Sequence, residues 1–194
     1  MIRRLSIAAL LLAGGCAAPY TLVSPSQVAV AGNAMHVTPP AAWNKAPASP
    51  LAIRYEEDWT QNGPALDALL FIGGLPDGQA LARQRRKQDQ QVPVFHAAMT
   101  PPELTSMIES YYRLREGAKL FRTDGIAPAT LFGKPALRFD YSYVGVDDVR
   151  RRGRSVTAIV GGKLYLLSLE GAASHYFEAA APQFDSIVAS ASLG

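Results

Sequence analysis

The sequence predicts an α+β domain in which helices cover an antiparallel sheet. Three observations support this prediction. Apolar and polar side chains alternate over residues 137–143, a pattern typical of a strand with one buried face. Gly161-Gly162 separates two further predicted strands, residues 156–160 and 164–169, and suits the two-residue turn of a hairpin. Amphipathic helical patterns follow Thr100 and Ser174, and the 194-residue chain has a length that commonly forms one domain.

Residues 1–15 are predicted to be an export signal rather than part of the folded domain. Arg3 and Arg4 supply a positive start, and the uncharged stretch at residues 5–18 is shorter than the ~20 residues that span a bilayer. The segment ends in Leu12-Ala13-Gly14-Gly15-Cys16, and Cys16 is the single cysteine of the chain. A single cysteine excludes an intramolecular disulfide. The alternative is an ordinary export signal in which this cysteine is incidental.

Residues 12–16 resemble the lipobox of bacterial lipoproteins, in which the signal is cut before a cysteine that receives acyl chains. This resemblance implies that Cys16 is lipidated, and Ala17, in place of aspartate, implies the outer membrane of a Gram-negative bacterium. Several acyl chains at one site hold a protein stably, because each buried CH₂ contributes about 0.8 kcal/mol. We therefore expect a periplasm-facing lipoprotein with a tether at residues 16–26 and a single domain at residues 27–194.

The charge of the mature chain is close to neutral. Removal of residues 1–15 takes away Arg3 and Arg4 and lowers the formal net charge from +3 to +1. Nothing in this balance indicates a nucleic-acid partner.

The remaining strands are predicted from alternating or apolar segments bounded by glycine, proline and asparagine. Gly32-Asn33 and Gln61-Asn62-Gly63-Pro64 mark two of the turns between them. Four prolines between residues 39 and 50 indicate an irregular crossover, with Trp43 packed into the core. These strands are predicted at residues 27–30, 34–37, 51–58, 65–73 and 119–126.

Two helices are predicted together with their ends. Thr100-Pro101-Pro102-Glu103 combines a capping box with proline at the first helical position, and Gly117 suits the end of this helix. Ser174 is expected to cap the last helix, in which Pro182 should cause a kink. Each helix has one apolar stripe, so we expect the helices to cover both faces of the sheet. A short exposed helix is also expected at residues 79–90.

Sequence motifs give little support to catalysis and none to a metal or a cofactor. His36, His96 and His175 have no ligating neighbour at metal-site spacing. The carboxylates at residues 56–58 and at Asp147-Asp148 are expected to be solvated charges beside turns, although either group could contribute to a cation or acid–base site. The chain lacks a Gly-x-Ser-x-Gly elbow, a Gly-x-Gly-x-x-Gly loop and a P-loop. An enzyme without a recognisable motif stays open as an interpretation.

Two basic runs are candidates for contact with an anionic partner, because arginine forks suit phosphate and carboxylate groups. The second run is expected where the chain turns between two strands, so that its guanidinium groups project together. The alternative is a solvated hairpin tip that Asp147 and Asp148 balance. The runs are Arg83, Arg85, Arg86 and Lys87, and Arg150, Arg151, Arg152 and Arg154.

Segments near the C-terminus look like those of a known superfamily, and Val37-Thr38-Pro39 followed by Trp43 provides a further match. Together they resemble the PsbP/Mog-like superfamily, which includes bacterial DcrB-like lipoproteins. The resemblance implies an α/β/α sandwich around an antiparallel sheet. Known members are mostly non-catalytic binding or assembly factors, and they share no catalytic residues to assign here. The segments are Phe132-Gly133-Lys134-Pro135-Ala136, Gly162-Lys163-Leu164-Tyr165-Leu166 and Phe184-Asp185-Ser186-Ile187-Val188-Ala189-Ser190.

These observations predict an outer-membrane lipoprotein whose domain binds a protein or another envelope component without catalysis. The alternatives are a carrier for a small apolar or anionic ligand and, third, a hydrolase. A flat exposed apolar patch would favour the partner-binding module. A deep apolar cleft with convergent polar groups would favour the carrier, and several tyrosines, otherwise expected in the core, would then line it. These are Tyr111, Tyr112, Tyr141, Tyr143 and Tyr165.

Overall fold

The computed structural model describes residues 19–83 and 92–194, and within them the chain forms two helices and eleven strands. Cys16 and most of the helix predicted at residues 79–90 lie outside the described residues. Residues 79–83 are not helical, and Ala80 instead pairs with Val94 in an isolated bridge. The elements are β1 (Thr21–Val23), β2 (Val28–Val30), β3 (Met35–Val37), β4 (Trp43–Lys45), β5 (Glu56–Thr60), β6 (Asp67–Pro76), α1 (Pro101–Arg115), β7 (Lys119–Leu131), β8 (Lys134–Val144), β9 (Arg150–Val160), β10 (Lys163–Ala172), α2 (Tyr176–Ser190) and β11 (Ser192–Leu193).

Eight strands form one antiparallel sheet in the order β1-β4-β5-β6-β10-β9-β8-β7. β8, β9 and β10 follow one another in the chain and pair as a meander. A second sheet, in the order β11-β3-β2, joins the last residues of the chain to the start of the domain. β1 and β7 are the two edge strands of the larger sheet, so each has a partner strand on one side only.

The turn between β9 and β10 confirms the predicted hairpin. Gly161 and Gly162 have φ angles of 57° and 73°, which places both central residues in the left-handed region that a type I′ turn requires. β10 is apolar on both faces, as expected: Leu166 packs with the core beneath α1, and Leu167 packs with the core beneath α2. The strand that the sequence marks as doubly buried is therefore an interior strand of the sheet.

α1 begins where the capping box predicts. The backbone N–H and the hydroxyl of Thr100 each donate a hydrogen bond of 2.7 Å to Oε2 of Glu103. The helix ends at Arg115, and Gly117 has a φ angle of 62° just beyond it, a conformation typical of the glycine that terminates a helix. The predicted apolar stripe is buried and consists of Leu104, Met107, Ile108 and Tyr111.

α2 differs from its prediction at the N-terminus. Its N-cap is His175 rather than Ser174, and no side chain forms a capping hydrogen bond there. Pro182 lies inside the helix, which continues to Ser190. The buried face agrees with the predicted stripe, with Phe177 and Phe184 among its residues.

The two helices lie on opposite faces of the larger sheet, which we call the α1 face and the α2 face. The core of the α2 face contains Trp43, Trp59 and Phe184. The core of the α1 face contains Phe139 and Tyr141. This arrangement confirms the predicted antiparallel sheet with a helix on each side. No helix within residues 19–83 or 92–194 is long and apolar enough to cross a bilayer.

Several strands differ from the predicted positions. β1 lies inside the predicted tether, and β4 lies inside the predicted irregular crossover. Three-residue strands show no period and form only by pairing, here β1 with β4 and β4 also with β5. β5 begins at Glu56 rather than residue 51. β9 begins at Arg150 rather than residue 156, so the second basic run lies in a strand and the turn precedes it at residues 145–149.

Candidate functional site

The strands at one edge of the sheet extend past α1 and leave part of the α1 face uncovered. β7, β8 and β9 contain 13, 11 and 11 residues, whereas α1 contains 15. At the usual rises these strands are roughly 36–43 Å long and the helix is about 22 Å long. The uncovered part is an open groove of about 500 Å³, which we call the β7–β9 groove. It is lined by Met99, Pro101 and Leu104 and by residues 126–128, 135–137 and 157–159.

The lining of the β7–β9 groove is apolar. None of the described residues that form it has an ionisable side chain. Thr157 is its one hydroxyl residue, and this hydroxyl already donates to the carbonyl of Tyr165 at 3.0 Å. Ile126 is 52% exposed and presents a large aliphatic side chain to solvent in the groove. The groove therefore favours apolar contact, and its described lining has no ionisable side chain.

β7 forms one wall of the groove and is the edge strand of the sheet. An exposed edge can pair with an added strand from another chain. Two features oppose that mode here. Pro128 has no N–H to donate, and the pairing of β7 with β8 is irregular between Lys119 and Arg122 and between Thr123 and Gly125. The structure therefore favours side-chain contact in the groove over backbone pairing at the edge.

The basic run in β9 is divided between the two faces. Arg151 is buried and donates to both carboxylate oxygens of Asp147 at 2.8 Å and to the carbonyl of Ala65 at 3.0 Å. The hydrogen bonds from Arg151 hold the pKa of Asp147 well below its usual range. This pair fixes the turn between β8 and β9 and leaves Arg151 occupied.

Of the other arginines of the run, Arg152 and Arg154 lie on the α2 face, and Arg150 is the first residue of β9. Arg152 pairs with Glu178 of α2 and lies over the ring of Phe177, 5.0 Å from its centroid. Arg154 pairs with Asp140 at 2.8 Å and with Asp185 of α2 at 2.9 Å. Arg150 is exposed and has no ion pair within the described ranges. The prediction that the run contacts an anionic partner is not tested by this geometry and now depends chiefly on Arg150.

The carboxylates at residues 56–58 lie in β5 and are not solvated charges beside a turn, so that expectation is wrong for this group. Glu56 accepts from Arg115 at 2.7 Å, and its side chain is fully buried. Glu57 accepts from the indole of Trp59 at 2.8 Å and from Lys45 at 2.9 Å. Burial and the neighbouring charge of Glu56 raise the pKa of Asp58 to about 7. Glu56 thus joins β5 to α1, and Glu57 also accepts at 3.1 Å from the backbone N–H of Ala31, in the turn between β2 and β3.

A buried polar cluster lies between α1 and the sheet. The hydroxyl of Ser168 contacts those of Ser155, Tyr112 and Tyr141 at 2.5, 2.8 and 3.0 Å. None of these partners is a base, so the cluster does not form a nucleophile–base pair. Four of the five candidate tyrosines are buried in this core, which confirms the expectation for Tyr111, Tyr112, Tyr141 and Tyr143. Tyr165 packs on the opposite face.

Glu170 is a buried acid of this region, with 7% of its surface exposed. It accepts a hydrogen bond of 2.5 Å from the hydroxyl of Tyr143. Burial, together with the charge of Glu116, raises the pKa of Glu170 to about 8. Because neither group reaches the β7–β9 groove, we assign this pair to the core rather than to the site.

The histidines lie on separate elements. His36 is in β3, His96 is in the loop before α1 and His175 is the N-cap of α2. Over residues 19–83 and 92–194, no three His, Cys, Asp or Glu side chains are grouped so that they could hold a metal ion.

No sequence motif marks the β7–β9 groove. A signal existed in β7, where residues 125–130 contain no charge and Ile126 is the one large aliphatic side chain. That segment was predicted to end a strand at residue 126, whereas the strand continues to Leu131. The groove arises because the strand is longer than the helix that covers it.

Comparison with known proteins defines the fold. A scan against protein-family profiles and a search of curated proteins gave no match. Solved structures do match. PsbP of the cyanobacterium Synechocystis sp. PCC 6803 has a TM-score of 0.59 at 13% identity, over 95% of this chain and 99% of that protein. The chain has the PsbP/Mog1 fold.

A second match supports this assignment. The Ran-binding protein Mog1p of Saccharomyces cerevisiae has a TM-score of 0.53 at 9% identity, over 90% of this chain and 95% of Mog1p. The predicted resemblance to the PsbP/Mog-like superfamily is thus confirmed for the fold. Identities this low carry no partner or activity to this chain, because one fold hosts many functions.

Proposed function

We propose that the chain is a lipoprotein of the outer membrane whose periplasmic domain binds a protein partner through the β7–β9 groove without catalysis. The observation that carries the proposal is the groove itself, an open apolar surface on the α1 face. Apolar grooves exposed on a folded protein are a common feature of interaction sites.

The lack of polar groups in the groove favours a protein over a small ligand. Small-molecule sites enclose most of the ligand and orient it with a few polar groups. The groove is open, and its one hydroxyl, that of Thr157, is already engaged. An anionic ligand in particular would meet no cation there.

A carrier for a small apolar ligand is the second candidate. The volume of the groove, about 500 Å³, is within the range of small-molecule sites. Protein purified from its own envelope, extracted with solvent and examined by mass spectrometry, should contain no stoichiometric apolar compound if the groove serves a protein. A compound present at one copy per chain would favour the carrier.

The lipid anchor is proposed from the lipobox resemblance at Cys16, with Ala17 supporting the outer membrane. The variant Cys16→Ser should lose labelling by a fatty-acid probe and should leave the membrane fraction. Labelling that persists in this variant would contradict the anchor, and it would leave the groove proposal unaffected.

The groove proposal is tested by crosslinking in intact envelopes. A photoreactive amino acid at position 126, inside the groove, should give a discrete crosslinked protein. The matched control places the same amino acid at position 120, because Leu120 lies on the same strand and is also exposed but does not line the groove. Equal crosslinking from both positions, or crosslinking from position 120 alone, would contradict the proposal.

A further inference from the structure

The edge of the sheet opposite the groove also exposes apolar side chains. β1 is the last strand on that side and pairs only with β4. Leu22 is 67% exposed, and Tyr20, just before the strand, is 46% exposed. Residues two apart in extended chain project to the same side, so these two side chains form one exposed apolar pair.

This edge carries almost no charge. Residues 19–26 contain no ionisable side chain except the phenol of Tyr20. In β4, which pairs with β1, the one charged residue is Lys45, and its ammonium lies 2.9 Å from Glu57. An apolar or anionic surface could therefore approach the edge without leaving an acidic group unpaired there.

The chain that precedes this edge is short. Cys16 lies five residues before Thr21, the first residue of β1. Five residues reach at most about 18 Å when fully extended. If Cys16 carries the lipid, β1 is the part of the described domain that the anchor holds nearest to the bilayer.

We propose that the β1 edge rests in the headgroup layer of the membrane that holds the anchor, with Tyr20 and Leu22 in contact with lipid. This inference rests on the proposed lipidation of Cys16. Tyrosine is favoured at the membrane–water interface because its ring is apolar and its hydroxyl stays hydrated. The free backbone groups of an edge strand need hydrogen-bond partners, so the contact is at headgroup depth and not in the hydrocarbon.

This orientation directs the groove away from the membrane. Seven strand spacings separate β1 from β7 in the sheet order. At about 4.8 Å per spacing they correspond to roughly 34 Å along the sheet. The β7–β9 groove would then face the aqueous compartment, where a protein partner can reach it.

The test uses the acylated, full-length lipoprotein in vesicles of phosphatidylethanolamine and phosphatidylglycerol. Because acylation occupies Cys16, a single new cysteine at Leu22→Cys can be labelled with an environment-sensitive fluorophore. The control is Ile126→Cys, an exposed position in the groove at the opposite edge. Nitroxide-labelled phospholipid, with the nitroxide near the headgroup, then quenches any fluorophore that touches the interface.

The proposal expects that the fluorophore at position 22 loses most of its emission and that the one at position 126 keeps it. Equal quenching at the two positions, quenching at position 126 alone, or no quenching at either in protein that floats with the vesicles would overturn the orientation while leaving the anchor intact. Protein that fails to float with the vesicles would instead contradict the anchor, and the orientation with it.

Discussion

The two faces of the sheet differ in how completely they are covered. On the α2 face, the helix is held by apolar packing around Phe184 and by ion pairs from Arg152 and Arg154. On the α1 face, the helix covers the tyrosine cluster and stops, so that Ile126 and the rest of the β7–β9 groove stay accessible.

The two faces should therefore differ in what a substitution changes: the free energy of unfolding on the α2 face, and association with a partner in the groove. On the α2 face, Trp43, Trp59 and Phe184 are buried and Arg154 is paired with Asp140 and Asp185, so substitutions of these residues should lower the free energy of unfolding. In the groove on the α1 face, Ile126 is 52% exposed, so its side chain gains less from folding than a buried one does. A substitution at this position should leave the fold intact and affect association with a partner.

The largest expected effect is on the α2 face. Phe184→Ala should lower the free energy of unfolding by about 3–5 kcal/mol, because it opens a cavity in a fully buried site. Ile126→Ala should lower it by only about 1 kcal/mol or less, because about half of the side chain is in solvent. Urea denaturation measures both values. Similar losses in the two variants would show that the groove is part of the structural core.

The second expected effect is a dependence of stability on pH that arises from Glu170, the buried acid beneath α1. The pKa of Glu170 is raised to about 8, so the folded protein keeps a proton that the unfolded chain releases above its ordinary value of 4.5. Stability should therefore fall as the pH rises from about 5 to about 8, by up to about 4 kcal/mol from this group. Asp58, with its pKa raised to about 7, acts in the same direction.

Glu170→Gln, which resembles the protonated acid, should make this decline shallower and leave the variant more stable than the parent at pH 8. Chemical denaturation at several pH values measures the slope. An unchanged slope in the variant would mean that Glu170 is ionised in the folded protein.

The smallest expected effect is the difference in stability between alanine variants of two arginines of the same run. Arg154→Ala should cost about 1–2 kcal/mol, since it leaves Asp140 and Asp185 without their shared partner. Arg150→Ala should fall within about 0.5 kcal/mol, because the side chain is exposed. Thermal melting distinguishes them. A larger loss from Arg150→Ala would mean that Arg150, too, serves the fold.

The elements that the sequence predicts correctly are those whose conformation is set by residues adjacent in the chain. The Gly161-Gly162 turn follows from the demand for positive φ angles, and the start of α1 follows from Thr100 and Glu103. β1 could not be predicted from the sequence, because three residues are too few to show a hydrophobic periodicity and the strand forms only by pairing with β4.

The candidate site depends on contacts between residues far apart in the chain and on the relative lengths of its elements. No local sequence pattern shows either. Arginines at the start of a strand look like a solvated turn until the fold brings Glu178 and Asp185 of α2 beside them. The groove depends on the length of β7 relative to α1, which no local pattern encodes. Its residues are ordinary aliphatic side chains and prolines. A search for chemical motifs therefore passes over them.

The central claim is that the uncovered part of the α1 face binds a protein partner. The most direct measurement compares how much partner is recovered with tagged protein from crosslinked envelopes for the parent, Ile126→Asp and Leu120→Asp, after denaturation has shown that all three are equally stable. The account predicts that Ile126→Asp loses the partner while Leu120→Asp retains it. Equal recovery by the two variants would contradict it.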